Sequence, residues 1–579
     1  MYIPSLFLTL FLLFSFTFAK EPVSIDDWEY NSTKAFVTKQ VGGKMRLSSK
    51  AMMVGMSAPR STKKIGLSVG GAKDTHNFTD NIKAGFLPQI DAISYEGTFY
   101  QHYFDTGLQG ECHALFCPSY AKAIHNDIYT DEIYYYLSVG LNSGIEKRAF
   151  KRKKLNLVVV LDISGSMGSG FNHYYYDGKE NYKSQKSKMR IANEAIVAMM
   201  GHLKDEDRFG MVLFDDSAYR AKPLRKVRRT NMRAIEKHIL ALHERGGTNW
   251  SAGYKEALAM FKGLSKKGYE NRIIFITDAM PNRGELKKER LFAMAQAASK
   301  KGIHTTFIGV GVDFNANLVA YVSKIKGANY YSVHSSESFQ KRMDSEFDYM
   351  VTPLVYDLEL TLKSKGFKID AVYGNPQANL STGRMMYVNT LFPSENDGKR
   401  TKGGVILVRL KKVGQSKQLT LSVKYKDTKG KAYKNLQKIE FNVVQREDEN
   451  GYYDNPGIHK AILLSEYVSL MKNWILDSRM ACQKTPDYSP FPLDALKEHA
   501  MSFPPKRAHY NQIKSWEHHS CRLEVNRGYK QLFSHFRRYF KKSIQTLHDR
   551  SLTQELKLLE RLEKKNPLHV LEKVDDWNM

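Results

Sequence analysis

Carboxylate and hydroxyl side chains follow the most apolar strand-like run of the sequence at alternate positions. The run Leu155–Asp162 ends in an aspartate, and Ser164 and Ser166 follow it on a loop that also contains glycine. Alternate residues on a tight loop can turn their oxygens toward one point. Such oxygens are typical ligands of hard cations such as Mg²⁺, so the motif predicts a cation site. The two serines could instead be capping residues at a helix N-terminus.

Two later loops offer further oxygen ligands. Thr248 lies in the loop sequence GGTN, and Asp278 follows the apolar run IIFIT. In open α/β sheets, ligands bind beyond the carboxyl ends of the strands. We therefore expect both residues to join Asp162, Ser164 and Ser166 in one site that contains neither sulfur nor imidazole.

The elements that position these residues alternate between strands and helices. Short, continuous apolar runs are typical of strands that are buried on both faces, and segments with helical spacing separate them. The predicted strands are 155–162, 208–215, 271–279, 303–312 and 328–333. This alternation predicts a mostly parallel sheet with helices on both faces, a doubly wound (Rossmann-like) α/β domain.

With these residues in place, the sequence resembles the von Willebrand factor type A (VWA) domain family over roughly residues 153–345. The metal-ion-dependent adhesion site (MIDAS) of that family has the pattern Asp-x-Ser-x-Ser, then a distant Thr, then a distant Asp. The matching residues here, in order, are Asp162, Ser164, Ser166, Thr248 and Asp278.

The resemblance implies a role for each residue of the site. The three hydroxyl residues Ser164, Ser166 and Thr248 would be direct ligands, whereas Asp162 and Asp278 would act directly or through water. The ion would be Mg²⁺, with Mn²⁺ or Ca²⁺ as alternatives. An Asp or Glu carboxylate of a partner protein would complete its coordination, which gives an adhesion or protein-interaction module.

Catalysis is not expected. The sequence has no His-Glu-x-x-His motif, because His243-Glu244 continues as Arg245-Gly246. His243 and Glu285 are the candidates for an acid and a base beside the site, but the sequence does not pair either of them with a second catalytic group. The wider arrangement is similar to exported, bacterial-type VWA proteins, described as similar to calcium-activated chloride channel or inter-α-trypsin inhibitor proteins. No pore-lining segment accompanies that similarity.

The remaining segments flank the VWA-like domain. Alternating apolar and polar residues after position 353 predict an antiparallel β-sandwich, and strands before Leu155 could belong to the same sandwich, with the α/β domain inserted into it. The predicted boundaries are a signal peptide at 1–19, a spacer at 20–85, a β segment at 86–154, the VWA domain at 155–350, the β-sandwich at 353–446 and a basic helical region at 447–579.

The N-terminus and the cysteines both predict export. The uncharged run Leu6–Phe18 is too short to span a bilayer and fits a secretory signal, so we expect a secreted or periplasmic protein without a transmembrane segment after cleavage. The chain has 4 cysteines, and pairing within the local pairs is the simplest arrangement, Cys112 with Cys117 and Cys482 with Cys521. A zinc site at Cys112, His113 and Cys117 would lack a fourth ligand.

The charge of the chain suggests a second class of function. With 88 Lys and Arg against 60 Asp and Glu, the 579-residue chain carries a net charge of +28, which favours anionic partners. Binding to an anionic polymer or membrane surface, with the metal site only structural, is therefore the alternative function. Nucleic acid is not the expected partner. The basic, aromatic C-terminal stretch 530–550 is interpreted as a helix that packs on the domain.

Overall fold

The computed structural model describes most of the chain. The described residues are 24–31, 64–73, 75–130, 132–170, 186–278, 283–310, 321–322, 324–333, 336–374, 385–441, 451–482, 496–498 and 521–565. The predicted signal peptide at 1–19 lies outside these ranges. Within them, every helix is too short or too polar to cross a membrane.

The strands and helices of these residues are numbered in chain order. The strands are β1 Lys64–Val69, β2 Gly71–Ala72, β3 Tyr103–Asp105, β4 Cys117–Asn126, β5 Ile133–Glu146, β6 Lys154–Asp162, β7 Arg208–Phe214, β8 Ala218–Lys226, β9 Tyr269–Thr277, β10 Ile303–Val310, β11 Asn329–Val333, β12 Val355–Ser364, β13 Phe367–Tyr373, β14 Met385–Ser394, β15 Arg400–Lys402, β16 Val405–Lys412, β17 Gln418–Asp427, β18 Ala432–Glu440 and β19 Gly451–Tyr453. The α-helices are α1 His76–Ala84, α2 Tyr95–Tyr100, α3 Lys188–Met200, α4 Met232–Leu240, α5 Trp250–Ala259, α6 Lys288–Lys300, α7 Ser336–Met343, α8 Phe347–Met350, α9 Pro456–Cys482, α10 Arg527–Leu547 and α11 Thr553–Lys564.

The α/β domain has a seven-stranded sheet in the order β2-β11-β10-β9-β6-β7-β8. All neighbours pair in parallel except β7 and β8, which pair antiparallel. The five predicted strands correspond to β6, β7, β9, β10 and β11. Alternate residues of β6 enter different core clusters, since Val159 packs on the side of α3 and Val160 on the side of α5. The predicted doubly wound fold is therefore confirmed.

Two edge strands of this sheet were not predicted from the sequence. β8 carries four basic residues, Arg220, Lys222, Arg225 and Lys226, and it contains Pro223. Proline and charged residues are tolerated on edge strands, which explains why this segment lacks a continuous apolar run. β2 is only two residues long and pairs with β11 at the other edge.

Ten further strands form one antiparallel sheet that combines segments from both sides of the α/β domain. β1 pairs with β14, and β5 pairs with β16. The α/β domain is thus inserted between strands of a single sheet, as the insertion hypothesis predicted. Residues 64–84, which lie within the predicted spacer, form β1, β2 and α1, and their side chains Ile65, Leu67 and Phe78 are buried in the core.

The C-terminal helices cover one side of this assembly. The 27-residue helix α9 is buried around most of its circumference. The aromatic residues Phe533, Phe536 and Phe540 of α10 are buried in the same core cluster. The apolar side of this basic C-terminal helix therefore packs in the core of the protein, as predicted from the sequence.

Both predicted disulfides are present. Cys112 bonds to Cys117, and Cys482 bonds to Cys521. Since both sulfurs of the first pair are in a disulfide, the zinc alternative at Cys112, His113 and Cys117 is excluded.

An ion pair fixes the link between α10 and α11 to α9. The Lys460 ammonium lies 2.6 Å from Asp549 Oδ2. Partial burial alone would raise the pKa of Asp549, but the hydrogen bond and positive charge of Lys460 outweigh burial and lower that pKa to about 2.

We predict that Asp549→Asn lowers the free energy of unfolding at pH 7 by about 1 kcal/mol, because solvent screens part of the pair. Asparagine keeps the capping acceptor for Ser551 N–H. Since the pKa of Asp549 is lowered on folding, its contribution is present above about pH 4 and is lost as pH falls toward 2. Urea titrations at pH 7 and pH 3, in a double-mutant cycle with Lys460→Met, measure the contribution of the ion pair to the free energy of unfolding. An equal contribution at both pH values would contradict the prediction.

Candidate metal centre

The five predicted site residues lie at the carboxyl edge of the seven-stranded sheet. Leu161 of β6 pairs with Ile276 of β9, so the two strands end side by side. Asp162 is the last residue of β6, and Asp278 directly follows β9. Both carboxylates are buried, with exposed fractions of 0% and 1%.

Hydrogen bonds join the first loop to the end of β9. The hydroxyl oxygens of Ser164 and Ser166 are 3.1 Å apart, and the Ser166 hydroxyl donates to Asp278 Oδ1 at 2.8 Å. The backbone N–H of Ser164 donates to Asp162 Oδ1 at 2.8 Å. The structure therefore brings these four residues together.

The third loop, which carries Thr248, is attached to the first by backbone hydrogen bonds. Gly165 N–H donates to the Gly246 carbonyl at 3.0 Å, and Arg245 N–H donates to the Ile163 carbonyl at 2.5 Å. Gly246 has a φ of +71°, and a Cβ there would lie 2.9 Å from a carboxylate oxygen of Asp216. Glycine is thus required for the turn that brings Thr248, which is 2% exposed, to this edge.

The oxygens present fit a magnesium ion. Neighbouring ligands of an octahedral Mg²⁺ are about 3 Å apart, because each lies about 2.1 Å from the ion. The spacings of 3.1 Å and 2.8 Å around Ser166 agree with that value. Among the described residues, no group of three or more His, Cys, Asp or Glu side chains could hold a metal, so a cation here would also need hydroxyl ligands.

Two residues outside the predicted set orient Asp162. The hydroxyl of Thr277 donates to Asp162 Oδ2 at 2.6 Å, and the indole N–H of Trp250 donates to Thr277 Oγ1 at 3.2 Å. Thr277 is the last residue of β9. Its place beside Asp162 could have been found from the parallel pairing of the two strands, but not from either segment alone.

Burial and charge both act on Asp162. Burial, followed by the charge of Asp278, raises the pKa of Asp162 to about 7, although hydrogen bonds from Ser164 and Thr277 oppose the shift. Two buried carboxylates at one edge therefore repel each other, and a divalent cation between them would relieve that repulsion.

The structure also places a cation beside Asp278. The Lys188 ammonium lies 3.0 Å from Asp278 Oδ2, and both side chains are almost fully buried. Sequence analysis missed Lys188, because a long segment separates it from Ser166. The usable signal is topological: α3 follows β6, and the N-terminus of such a helix lies at the carboxyl edge of the sheet.

Glu285 and His243, the candidate acid and base, lie on different segments of the α/β domain, after β9 and after α4. Glu285 accepts a hydrogen bond from Lys287 N–H, which together with Arg290 lowers the pKa of Glu285. His243 is exposed on the segment that follows α4.

Comparison with known proteins agrees with this geometry. Residues 157–281, which contain all five site residues, match the family model of the von Willebrand factor type A domain. The chain contains a VWA domain. The match covers part of the α/β domain and leaves the antiparallel sheet and the C-terminal helices unassigned.

Curated relatives match about a third of the chain. Inter-alpha-trypsin inhibitor heavy chain H1 of Mesocricetus auratus is 22% identical over 211 residues, which cover 35% of this chain and 21% of that protein. The uncharacterized protein YfbK of Escherichia coli is 23% identical over 210 residues, which cover 36% of this chain and 33% of that protein. The similarity therefore spans a third or less of each relative.

Solved structures with similarity include VWA proteins. A von Willebrand factor type A protein from Catenulispora acidiphila is 14% identical, and the match covers 66% of this chain and 84% of that chain with a TM-score of 0.40. The ArnB paralog VWA2 from Sulfolobus acidocaldarius is 13% identical, covering 78% of this chain and 98% of that chain with a TM-score of 0.31. The VWA assignment rests on the family match and the sheet topology.

We predict that Asp162→Asn stabilises the protein in EDTA at pH 8 by about 2 kcal/mol, because it removes one of two buried, repelling carboxylates. The pKa of Asp162 is raised on folding, so ionisation of Asp162 destabilises the folded state. This destabilisation increases as pH rises from about 4 to about 7 and stays constant at higher pH. The advantage of the variant should therefore disappear near pH 4.

Denaturant unfolding at the two pH values measures this effect. Asp205→Asn, at an exposed carboxylate of the same domain, is the matched control and should change stability little at either pH. A destabilised Asp162→Asn protein at pH 8 in EDTA would contradict the prediction.

Proposed function

We propose that this protein is an exported, non-catalytic interaction module whose VWA domain binds an acidic group of a partner through a divalent cation. The observation that carries the proposal is the convergence of Asp162, Ser164, Ser166 and Asp278, with the Thr248 loop joined to them, at one buried sheet edge. Ser164, Ser166 and Thr248 would hold Mg²⁺ directly, and the two aspartates would hold it directly or through water.

The chemistry of the donors favours a carboxylate as the ligand of the partner. Three of the five side chains are neutral hydroxyls, so they leave much of the charge of a divalent ion uncompensated. An Asp or Glu side chain would supply both a hard oxygen ligand and the missing negative charge. The polar loops at the carboxyl ends of the strands form the approach to this site.

Export is supported by two features. The uncharged apolar run near the N-terminus fits a secretory signal, and both cysteine pairs form disulfides. Disulfides persist mainly in oxidising compartments, so we place the protein in a secreted or periplasmic location.

A peptide array tests the function. Each Asp- or Glu-containing peptide is paired with its Asn or Gln counterpart, and the full-length protein is applied in Mg²⁺ or in EDTA. We expect retention on acidic peptides in Mg²⁺ that falls at least tenfold in EDTA, on the amide peptides and with Thr248→Ala. Thr361→Ala, at a hydroxyl on the antiparallel sheet, is the control and should bind like the wild type.

Retention that is equal in Mg²⁺ and EDTA, and unchanged by Thr248→Ala, would contradict a metal-dependent mechanism. It would favour binding through surface charge instead.

A second candidate function has a specific surface in its favour. Exposed lysines cluster on the outward face of β12, β17 and β18, which we name the lysine face: Lys363, Lys424, Lys426, Lys434 and Lys438. Lys424 lies directly opposite Lys434, and like charges in that position are destabilising. An anionic polymer lying across the strands would remove this repulsion.

Only part of this charge is balanced within the described residues. Lys424 lies 3.7 Å from Glu359, and Lys426 lies 3.2 Å from Asp357. The described part of the chain provides no acidic partner within 4.0 Å for the other three lysines. The lysine face thus retains positive charge that an anionic polymer could neutralise.

Dextran sulfate serves as the probe for this candidate. If the lysine face binds polyanions, changing Lys424, Lys434 and Lys438 to Gln should weaken binding at least tenfold and reduce its salt dependence. The control changes three exposed lysines of the VWA domain, Lys255, Lys262 and Lys267, to Gln. Equal losses in the two triple variants would show that net charge, rather than this face, determines binding.

A further inference from the structure

Lys188 is a buried cation at the candidate metal centre. It is the first residue of α3, and its ammonium lies 3.0 Å from Asp278 Oδ2. Only 2% of its side chain is exposed. Lysine is rarely buried to this extent unless it is paired with an opposite charge, so the ion pair explains its position.

Local helix preferences do not explain a lysine at this position. The N-terminus of a helix carries partial positive charge, which favours acidic residues and disfavours Lys. The first turn of α3 contains no acidic residue. Ser187 already caps the helix by accepting a hydrogen bond from Arg190 N–H. The buried lysine is instead paired with the Asp278 carboxylate.

Asp278 is shared between the lysine and the hydroxyl loop. Its Oδ1 accepts from the Ser166 hydroxyl at 2.8 Å, while its Oδ2 faces Lys188. The carboxylates of Asp162 and Asp278 would together offer two negative charges to an ion. The Lys188 ammonium neutralises one of them and places a like charge close to the position that the ion would occupy.

We propose that Lys188 sets a low affinity of this site for divalent cations by neutralising Asp278. The inference rests on the proposed function, since it concerns the same metal site. Its consequence is that the carboxylate of a partner contributes a larger share of the binding energy of the ion. Metal binding and partner binding then reinforce each other, because the coupling between two ligands is reciprocal.

The sign of one substitution separates this role from a positioning role. If Lys188 only held Asp278 in place, its removal would weaken cation binding. If its charge opposes the cation, its removal strengthens binding. Lys188→Gln removes the charge while an amide can still donate a hydrogen bond to Asp278, and Lys188→Arg keeps the charge.

Isothermal titration calorimetry with Mg²⁺ and with Mn²⁺, on the full-length protein at constant ionic strength, measures the effect. We expect Lys188→Gln to bind each ion at least about tenfold more tightly than the wild type, given the strength of charge interactions at buried sites. Lys188→Arg should stay within about threefold of the wild type. Lys186→Gln, at an exposed lysine two residues earlier, is the matched control and should change nothing.

Two other results would overturn either the role of Lys188 or the proposed function. Unchanged or weaker cation binding by Lys188→Gln, with wild-type circular dichroism, would overturn the role of Lys188 and leave the metal site intact. If neither the wild type nor Lys188→Gln takes up either ion, the proposed function fails together with this inference. Should Lys188→Gln not fold, Lys188→Met provides the same test of charge, because it also removes the charge and places an unbranched apolar side chain at the buried position.

Discussion

Two buried carboxylates at the end of a parallel sheet are the constraint on which the rest of the site depends. Asp162 and Asp278 lie at adjacent strand ends because β6 and β9 pair in register, and both side chains are buried. Burial and mutual repulsion raise the pKa of Asp162, even though Thr277 and Ser164 donate hydrogen bonds to it. Among the described contacts, Lys188 offsets the negative charge of Asp278, and the Ser166 hydroxyl brings an oxygen that a cation could use.

The α/β domain has its own hydrophobic cores, distinct from those of the antiparallel sheet and the C-terminal helices. The α/β domain is inserted between strands of one antiparallel sheet, and Arg152, just before β6, is anchored by Asp207 and Asp348 of the same domain. The C-terminal helices pack in a separate core cluster together with α2 and parts of β4 and β16. The described residues of the site therefore lie on loops of the α/β domain.

Sequence analysis predicted the parts of the molecule whose signals are local. The five predicted parallel strands are largely apolar runs, and the site residues follow such runs or lie at loop-to-helix junctions, so their convergence could be expected. β8 could not be predicted in this way, because an edge strand tolerates Pro223 and alternating charges. β1 pairs with β5 and β14, and β2 pairs with β11, so both strands depend on partners far along the chain.

Lys188 shows the same limit within the site. A lysine at a helix N-terminus carries no sequence signal for metal chemistry, and only the folded topology brings it to Asp278. Thr277 was visible as a strand end, but its hydrogen bond to Asp162 depends on the register of two strands. Side-chain contacts between elements that are distant in the chain cannot be predicted from local sequence patterns.

Anomalous X-ray scattering from crystals grown with Mn²⁺ tests the central claim most directly. We predict one strong peak bounded by the hydroxyl oxygens of Ser164, Ser166 and Thr248, which is absent in crystals of Thr248→Ala grown in the same way. Crystals that show no peak at this edge of the sheet, or a peak bound only by residues of other segments, would contradict the account.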